Sequence, residues 1–140
     1  MLLYDPKDVQ LIIGATGHEI TGFSPNTMIT ISYNEDLMST QQGAQGEIGF
    51  SVNPSTMGTL EFSLLQVHPD NAVMSNIALL RRPFPWICRD SGGQSHGESL
   101  ISIVTKMPPM KFSKNPEEEY TWTITAPDLV KFIGGNERKD

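Results

Sequence analysis

Three histidines, one cysteine, a Gly-Ala-Thr-Gly segment and a run of three glutamates are the residues of this sequence whose types could do chemistry. His18, His68 and His96 stand far apart and lack the short spacing that sets metal ligands on one element, so no metal site is expected. His96 lies with Asp90, Ser91, Ser95 and Glu98 in a Gly/Ser-rich stretch, a composition from which a hydrolytic site could be drawn. Nothing there supplies a strained nucleophile turn or an oriented base, and a surface loop explains the same residues. Cys88 follows Trp86-Ile87 and reads as a buried small hydrophobe rather than a thiolate nucleophile. Gly14-Ala15-Thr16-Gly17 follows an apolar run but lacks the third glycine and the helix of a dinucleotide site, and has no lysine for a phosphate loop. It reads as a hairpin turn. Glu117-Glu118-Glu119 is a solvated charge run whose members would alternate faces on a strand. No catalytic, cofactor-binding or metal residue is therefore assigned, no cofactor is expected, and the chain reads as a non-enzyme.

The elements that would position any site must come from one core. A chain of 140 residues fits a single domain over 1–140, and 38% hydrophobic residues with two Trp, six Phe and three Tyr are enough to fill it. A formal charge of −6 argues against a protein that binds nucleic acid by neutralising phosphates. With Cys88 alone there can be no internal disulfide and no cysteine zinc cage. Residues 1–10 carry Asp5, Lys7 and Asp8 rather than a basic-then-apolar leader, and no apolar run is long enough to span a membrane. The expectation is a soluble protein made in a cytoplasm, without a membrane anchor.

Val9 to Ile13 is a β-branched apolar run closed by the Gly14–Gly17 turn, and a second strand is expected from His18. Residues 27–33 alternate, with Ile29, Ile31 and Tyr33 on one side. Residues 34–58 are diluted by Gly, Gln, Asn and Pro and predict a long hairpin excursion with only a weak strand signal at 47–52. From Thr59 to Leu65 the period-two pattern is clean: Leu60, Phe62 and Leu64 face one way, Thr59, Glu61 and Ser63 the other. A helix is predicted from Pro69, with Asp70 in its first turn, a Val73/Ile77/Leu80 stripe and Arg81-Arg82 in its last turn before Pro83. Further strands are predicted at 84–88, 100–105 and 120–124, with residues 90–98 as a loop and a mobile, charged tail after about 135. The sum is a mainly β chain with one helix, a small antiparallel β-barrel or sandwich. Its strand faces Leu60/Phe62/Leu64 and Tyr120/Trp122/Ile124 would pack against the helix stripe.

Several stretches, taken in order, resemble the tail tube proteins of contractile-tailed bacteriophages. They are Tyr4-Asp5-Pro6-Lys7-Asp8-Val9, Ile20-Thr21-Gly22-Phe23, Ile29-Thr30-Ile31, Asn34-Glu35-Asp36, Gly43-Ala44-Gln45-Gly46-Glu47, the strand ending in Leu65-Gln66, Asp70-Asn71, Trp122-Thr123-Ile124 and Phe132-Ile133-Gly134-Gly135. Together they span nearly the whole chain. Met38-Ser39-Thr40-Gln41-Gln42 departs from the pattern in being more neutral, and residues 90–98 have no counterpart in it.

The resemblance implies a subunit of the inner tube of a contractile tail, located in the virion, in which sheets of six subunits close a hexameric ring and the rings stack around a conduit for DNA ejection. Implied partners are further copies of the chain and the sheath, tape-measure and baseplate proteins; DNA would pass through the lumen without specific binding. Within that frame the long hairpin, through Asp36, Gln41, Gln42, Gln45 and Glu47, is the candidate ring-stacking element. Glu61, Ser63, Glu119 and Thr121 are candidates for a lumen wall, where acidic residues repeated around a ring axis would repel phosphate. A bacterial secretion-system tube protein, a ring-forming baseplate or tail-terminator subunit, and a hydrolase depending on His96 are the rival readings. Genomic neighbours or virion mass spectrometry, a self-assembly assay, and an activity screen of His96→Ala separate them.

Overall fold

The computed structural model describes residues 9–14, 16–23, 29–90, 94–112, 114–115 and 118–134. The expectations placed on residues 1–8, on Ser91, on Glu117 and on the tail after 135 lie outside them. In chain order the elements are β1 (Val9–Ile13), β2 (His18–Ile20), β3 (Ile29–Tyr33), β4 (Met38–Gln42), β5 (Ile48–Val52), β6 (Gly58–Leu65), α1 (Asp70–Leu80), β7 (Phe84–Asp90), β8 (His96–Lys106), β9 (Glu119–Ala126) and β10 (Val130–Phe132). The fold is mainly β with one helix, and all strand pairs are antiparallel.

The strands run in the order β2-β1-β7-β8-β9-β6-β3, with β10 added to β8. This path starts at β2 and ends at β3 without closing, so the molecule is a sandwich rather than a barrel. Long β8 belongs to both layers: residues 96–102 pair with β7, and residues 103–106 pair with β9 across an irregularity between Val104 and Lys106. Between the layers lie Leu11, Ile13, Trp86 and Cys88 from one side and Leu60, Phe62, Leu64, Trp122 and Ile124 from the other, all buried. The period-two pattern of β6 is the cause: every second side chain enters the core and the intervening ones stay outside.

The helix departs from its predicted stripe. Met74 is fully buried and Ile77 and Ala78 pack against the core, whereas Leu80 is exposed. Its buried positions are Asp70 and Met74, so a polar residue occupies the end of the apolar face and shifts that face by one position. Arg81 and Arg82 also fall outside the last turn. Arg81 is the cap residue, in the left-handed region at φ 53°, where its amide still reaches the Ala78 carbonyl at 3.2 Å.

The 90–98 loop is shorter than predicted, because Asp90 completes β7 and His96 opens β8; Cys88 pairs with Gly97 and Arg89 with His96. β4 and β10 form without a clear sequence signal, each drawn into extended conformation by its partner strand.

Candidate functional site

Two polar networks fix the frame that carries the surfaces. Asp70, buried at the start of α1, accepts the amides of Thr21 at 2.8 Å and Gly22 at 3.3 Å and Nε2 of His18 at 2.8 Å. Nδ1 of His68 accepts the Asp70 amide at 3.1 Å and so serves the first turn of the helix. Burial would raise the Asp70 carboxyl, but the Thr21 amide, His18, the Gly22 amide and the nearby His68 outweigh it and hold the group below the ordinary carboxylate value. The second network crosses the sandwich. Trp86 Nε1 donates to Ser102 at 2.8 Å, Ser102 donates to Ser99 at 2.6 Å, and Ser99 donates to Asp128. Both networks join distant parts of the chain, and His18 of the first borders a cavity of about 360 Å³ with Val73 and Ile77.

The residues that raised a hydrolytic reading are placed as follows. His96, Asp90 and Ser95 border one cleft of about 310 Å³, lined also by Ile29, Ile31 and Phe132. The His96 ring lies against Phe132, centroids 5.9 Å apart, on a strand rather than in a loop. Cys88 is buried, and that burial, with Asp90 nearby, pushes its thiol up to about 11, the opposite of an activated nucleophile. Among the described residues no group of three or more His, Cys, Asp or Glu could hold a metal ion.

Register brings the predicted wall residues onto one surface. β6 pairs with β9 so that Ser63 faces Thr121, Glu61 faces Thr123 and Leu65 faces Glu119, all on the side away from the core. The Ser63 and Thr121 hydroxyls are 2.9 Å apart. β3 extends the same side with Thr30 opposite Glu61 and Ser32 opposite Thr59. The result is a wall of hydroxyls in which Glu61 and Glu119 are the acids; both border a concavity that Lys106 and Lys111 also line.

Residues 34–57 leave the sandwich as an arm. Among the described residues β4 and β5 pair only with each other, and the Gly43 amide closes the tip by bonding the Glu47 carbonyl at 2.7 Å. At its base Asn53 donates to Glu35 at 2.7 Å and Thr59 to Asn34 at 2.7 Å, which ties the arm to the ends of β3 and β6. Asp36, Gln41, Gln42, Gln45 and Glu47 are all exposed, but they do not share one face. Gln42 stands opposite Ile48, on the side of Met38, Thr40, Phe50 and Val52, while Gln41 falls on the other side with Ser39 and Ser51. The coherent feature is the apolar stripe that the polar residues had obscured: Ile48, Phe50 and Val52 are about 70% exposed (71%, 71% and 69%), with Met38 beside them. The alternation Ile48-Gly49-Phe50-Ser51-Val52 was the signal for it.

With this geometry in place, comparison with known proteins gives three results. No family profile matches the chain, and no curated protein matches it by sequence. Solved structures do match its fold. A chain in the virion of a native gene transfer agent particle superposes with a TM-score of 0.63 at 10% identity, covering 94% of this chain and 100% of that one. The tube-terminating cap of the anti-feeding prophage gives 0.59 at 9% identity, covering 94% and 92%. A chain from the sheath/tube terminator of an extracellular contractile injection system in its extended state gives 0.53 at 14% identity, covering 95% and 99%. The chain has the fold of components of contractile and phage-like particles. At these identities the likeness concerns the fold, and it runs over nearly the whole length of each partner.

Proposed function

We propose that this protein is a structural, non-enzymatic subunit of the inner tube of a contractile phage tail, polymerising into hexameric rings that stack around the path of DNA ejection. The observation that carries this reading is the arm at residues 34–57: it contributes no buried side chain to its own chain, yet presents Met38, Ile48, Phe50 and Val52 to solvent. An ordinary monomer gains nothing from such a stripe and risks aggregation through it, whereas a subunit that must seat on a neighbour requires it. The fold shared with particle components supports the same reading.

In the assembled tube the outer face of β6 and β9, with Glu61, Ser63, Glu119 and Thr121, forms the lumen wall. Its hydroxyls are neutral and its acids, Glu61 and Glu119, repel phosphate, with Lys106 and Lys111 bordering them. The arm makes the ring-to-ring contact, the sheath covers the outside, and tape-measure and baseplate proteins meet the tube inside and at its end. The working place of the protein is the virion tail.

Likeness to a tube-terminating cap and to a sheath/tube terminator favours a second reading, a ring that ends the tube instead of extending it. Negative-stain electron microscopy of the purified protein over a range of concentrations, with its mass in solution, separates the two. Hollow tubes or stacked rings support the tube subunit, isolated single rings support the terminator, and a ring-free monomer at high concentration removes both.

A further inference from the structure

A second exposed apolar surface lies on the segment after β8, which leaves the sheet at Lys106, opposite Thr123 and so midway along β6, and runs toward the Leu65 end. The arm leaves from the Gly58 end of β6; the other end of that strand, Leu65, pairs with Glu119, where β9 begins after the segment that follows β8. Lys111 is held beside Tyr120, which pairs with Leu64, six residues or about 20 Å along β6 from Gly58 at the base of the arm. In the segment after β8, Met107, Met110 and Phe112 are exposed, Phe112 at 91% and Met110 at 81%. They are not loosely hung: the Tyr120 hydroxyl donates to the Lys111 carbonyl at 2.7 Å, and the Lys111 amide donates back to it at 3.3 Å. This pin holds Lys111 against β9 with an exposed apolar side chain on either side of it. Pro108-Pro109 restrict the approach, so the surface is presented with little freedom left to lose on binding.

The two surfaces are complementary in charge as well as in apolar character. Residues 34–57 carry Glu35, Asp36 and Glu47 and no Lys or Arg, whereas residues 105–115 carry Lys106, Lys111 and Lys114 and no acid. Among the described residues Glu118 engages Lys111 at 3.2 Å, and Lys106 borders a concavity that Glu61 and Glu119 also line; Lys106 and Lys114 are the cations offered to an acidic partner.

We propose that the segment Met107-Pro108-Pro109-Met110-Lys111-Phe112 of one copy is the receptor for the arm of a second copy, with Phe50 and Ile48 seated on Met110 and Phe112 and with Asp36 and Glu47 facing Lys106 and Lys114. The inference rests on the tube reading and names the surface that receives the arm. A contact between unlike surfaces is heterologous, so when it joins one ring to the next it can repeat along the stack.

The test mixes two single variants, Phe50→Cys in one chain and Phe112→Cys in another, under mild oxidation, alongside electron microscopy of the wild type. Both sites are exposed, so the variants fold, which circular dichroism checks. Disulfide-linked heterodimers are expected at least about tenfold above the yield from Phe50→Cys mixed with Leu79→Cys, a control on the exposed side of α1. The pair Lys106→Glu and Lys114→Glu, added to the Phe112→Cys chain, should abolish the excess, and Asp36→Lys with Glu47→Lys on the other chain should restore it. Tubes without the excess overturn the receptor assignment while the tube reading stands. A crosslink without tubes upholds the contact and removes the tube reading. Absence of both overturns the two together.

Discussion

Nε2 of His18 and Oδ1 of Asp70 lie 2.8 Å apart, joining β2 to the start of α1 across 52 residues of sequence. The contact belongs to a carboxylate that is also bonded to two backbone amides, so removing the carboxylate leaves buried donors unpaired. Asp70→Ala is expected to cost about 2–4 kcal/mol, measured by urea denaturation. Replacing His18 by Ala, which removes one partner at a half-exposed position, should cost about 1 kcal/mol.

Acid should act through the same group. The folded pKa of Asp70 lies below its unfolded value, so its contribution is fully present above the unfolded value of about 3.9 and is lost as pH falls through the folded one. Asp128 behaves alike: burial opposes the shift, but the Ser99 hydroxyl and the Leu100 amide prevail. Asp70→Asn should flatten the acid limb of the stability profile below about pH 4, and an unchanged limb would show that other carboxylates govern it.

Gly58 stands where β6 meets the base of the arm, and a Cβ there would come within 2.1 Å of Leu129 Cδ2 and 2.8 Å of the Ser32 carbonyl oxygen. Leu129 is buried and the carbonyl belongs to β3, so neither can give way freely. Gly58→Ala is expected to cost roughly 2–3 kcal/mol and to lower the melting temperature by several degrees.

Removing the arm should separate stability from assembly. Replacing residues 36–54 by a short turn deletes no buried side chain, so the unfolding free energy should change by less than about 1 kcal/mol. Higher assemblies should vanish in sedimentation. Loss of the fold itself would show that the arm serves the monomer.

Cys88 should stay silent to thiol reagents while the protein is folded. With a thiol pushed to about 11 and a buried position, roughly one molecule in a thousand carries a thiolate at pH 8. The reaction rate should then follow unfolding, which can be read by titrating the thiol across a urea series.

How far the sequence could be read differs by element, for physical reasons. β6 and β9 announce themselves because each has one face in the core, and a buried face imposes period-two alternation on the residues, while β1 is legible as a β-branched apolar run. β4 has no such mark: Met-Ser-Thr-Gln-Gln is exposed throughout, and its extended form comes from pairing with β5. β10 is three residues long and exists through β8. The helix stripe went astray because Asp70 occupies its buried face, and no apolarity rule selects an aspartate whose partners lie in another element. For the proposed assembly surfaces, the polar face of β6 and β9 follows from strand register, which alternation gives directly. The apolar stripe of the arm was hidden by the Gln and Gly around it. The receptor segment could not be seen, since the prolines read as a break and only the Tyr120 pin shows that they are held in place.

Strand β8 carries the last consequence. It is one covalent segment bonded to β7 along its first half and to β9 along its second, and β9 is paired in turn with β6 over eight residues. A force applied through the arm along the axis of β6 would be resisted in shear, with the β6–β9 ladder loaded at once instead of being unzipped bond by bond. Through β8 the same load reaches the far layer, so the two layers must yield together, and a subunit built this way behaves under tension as a single rigid link.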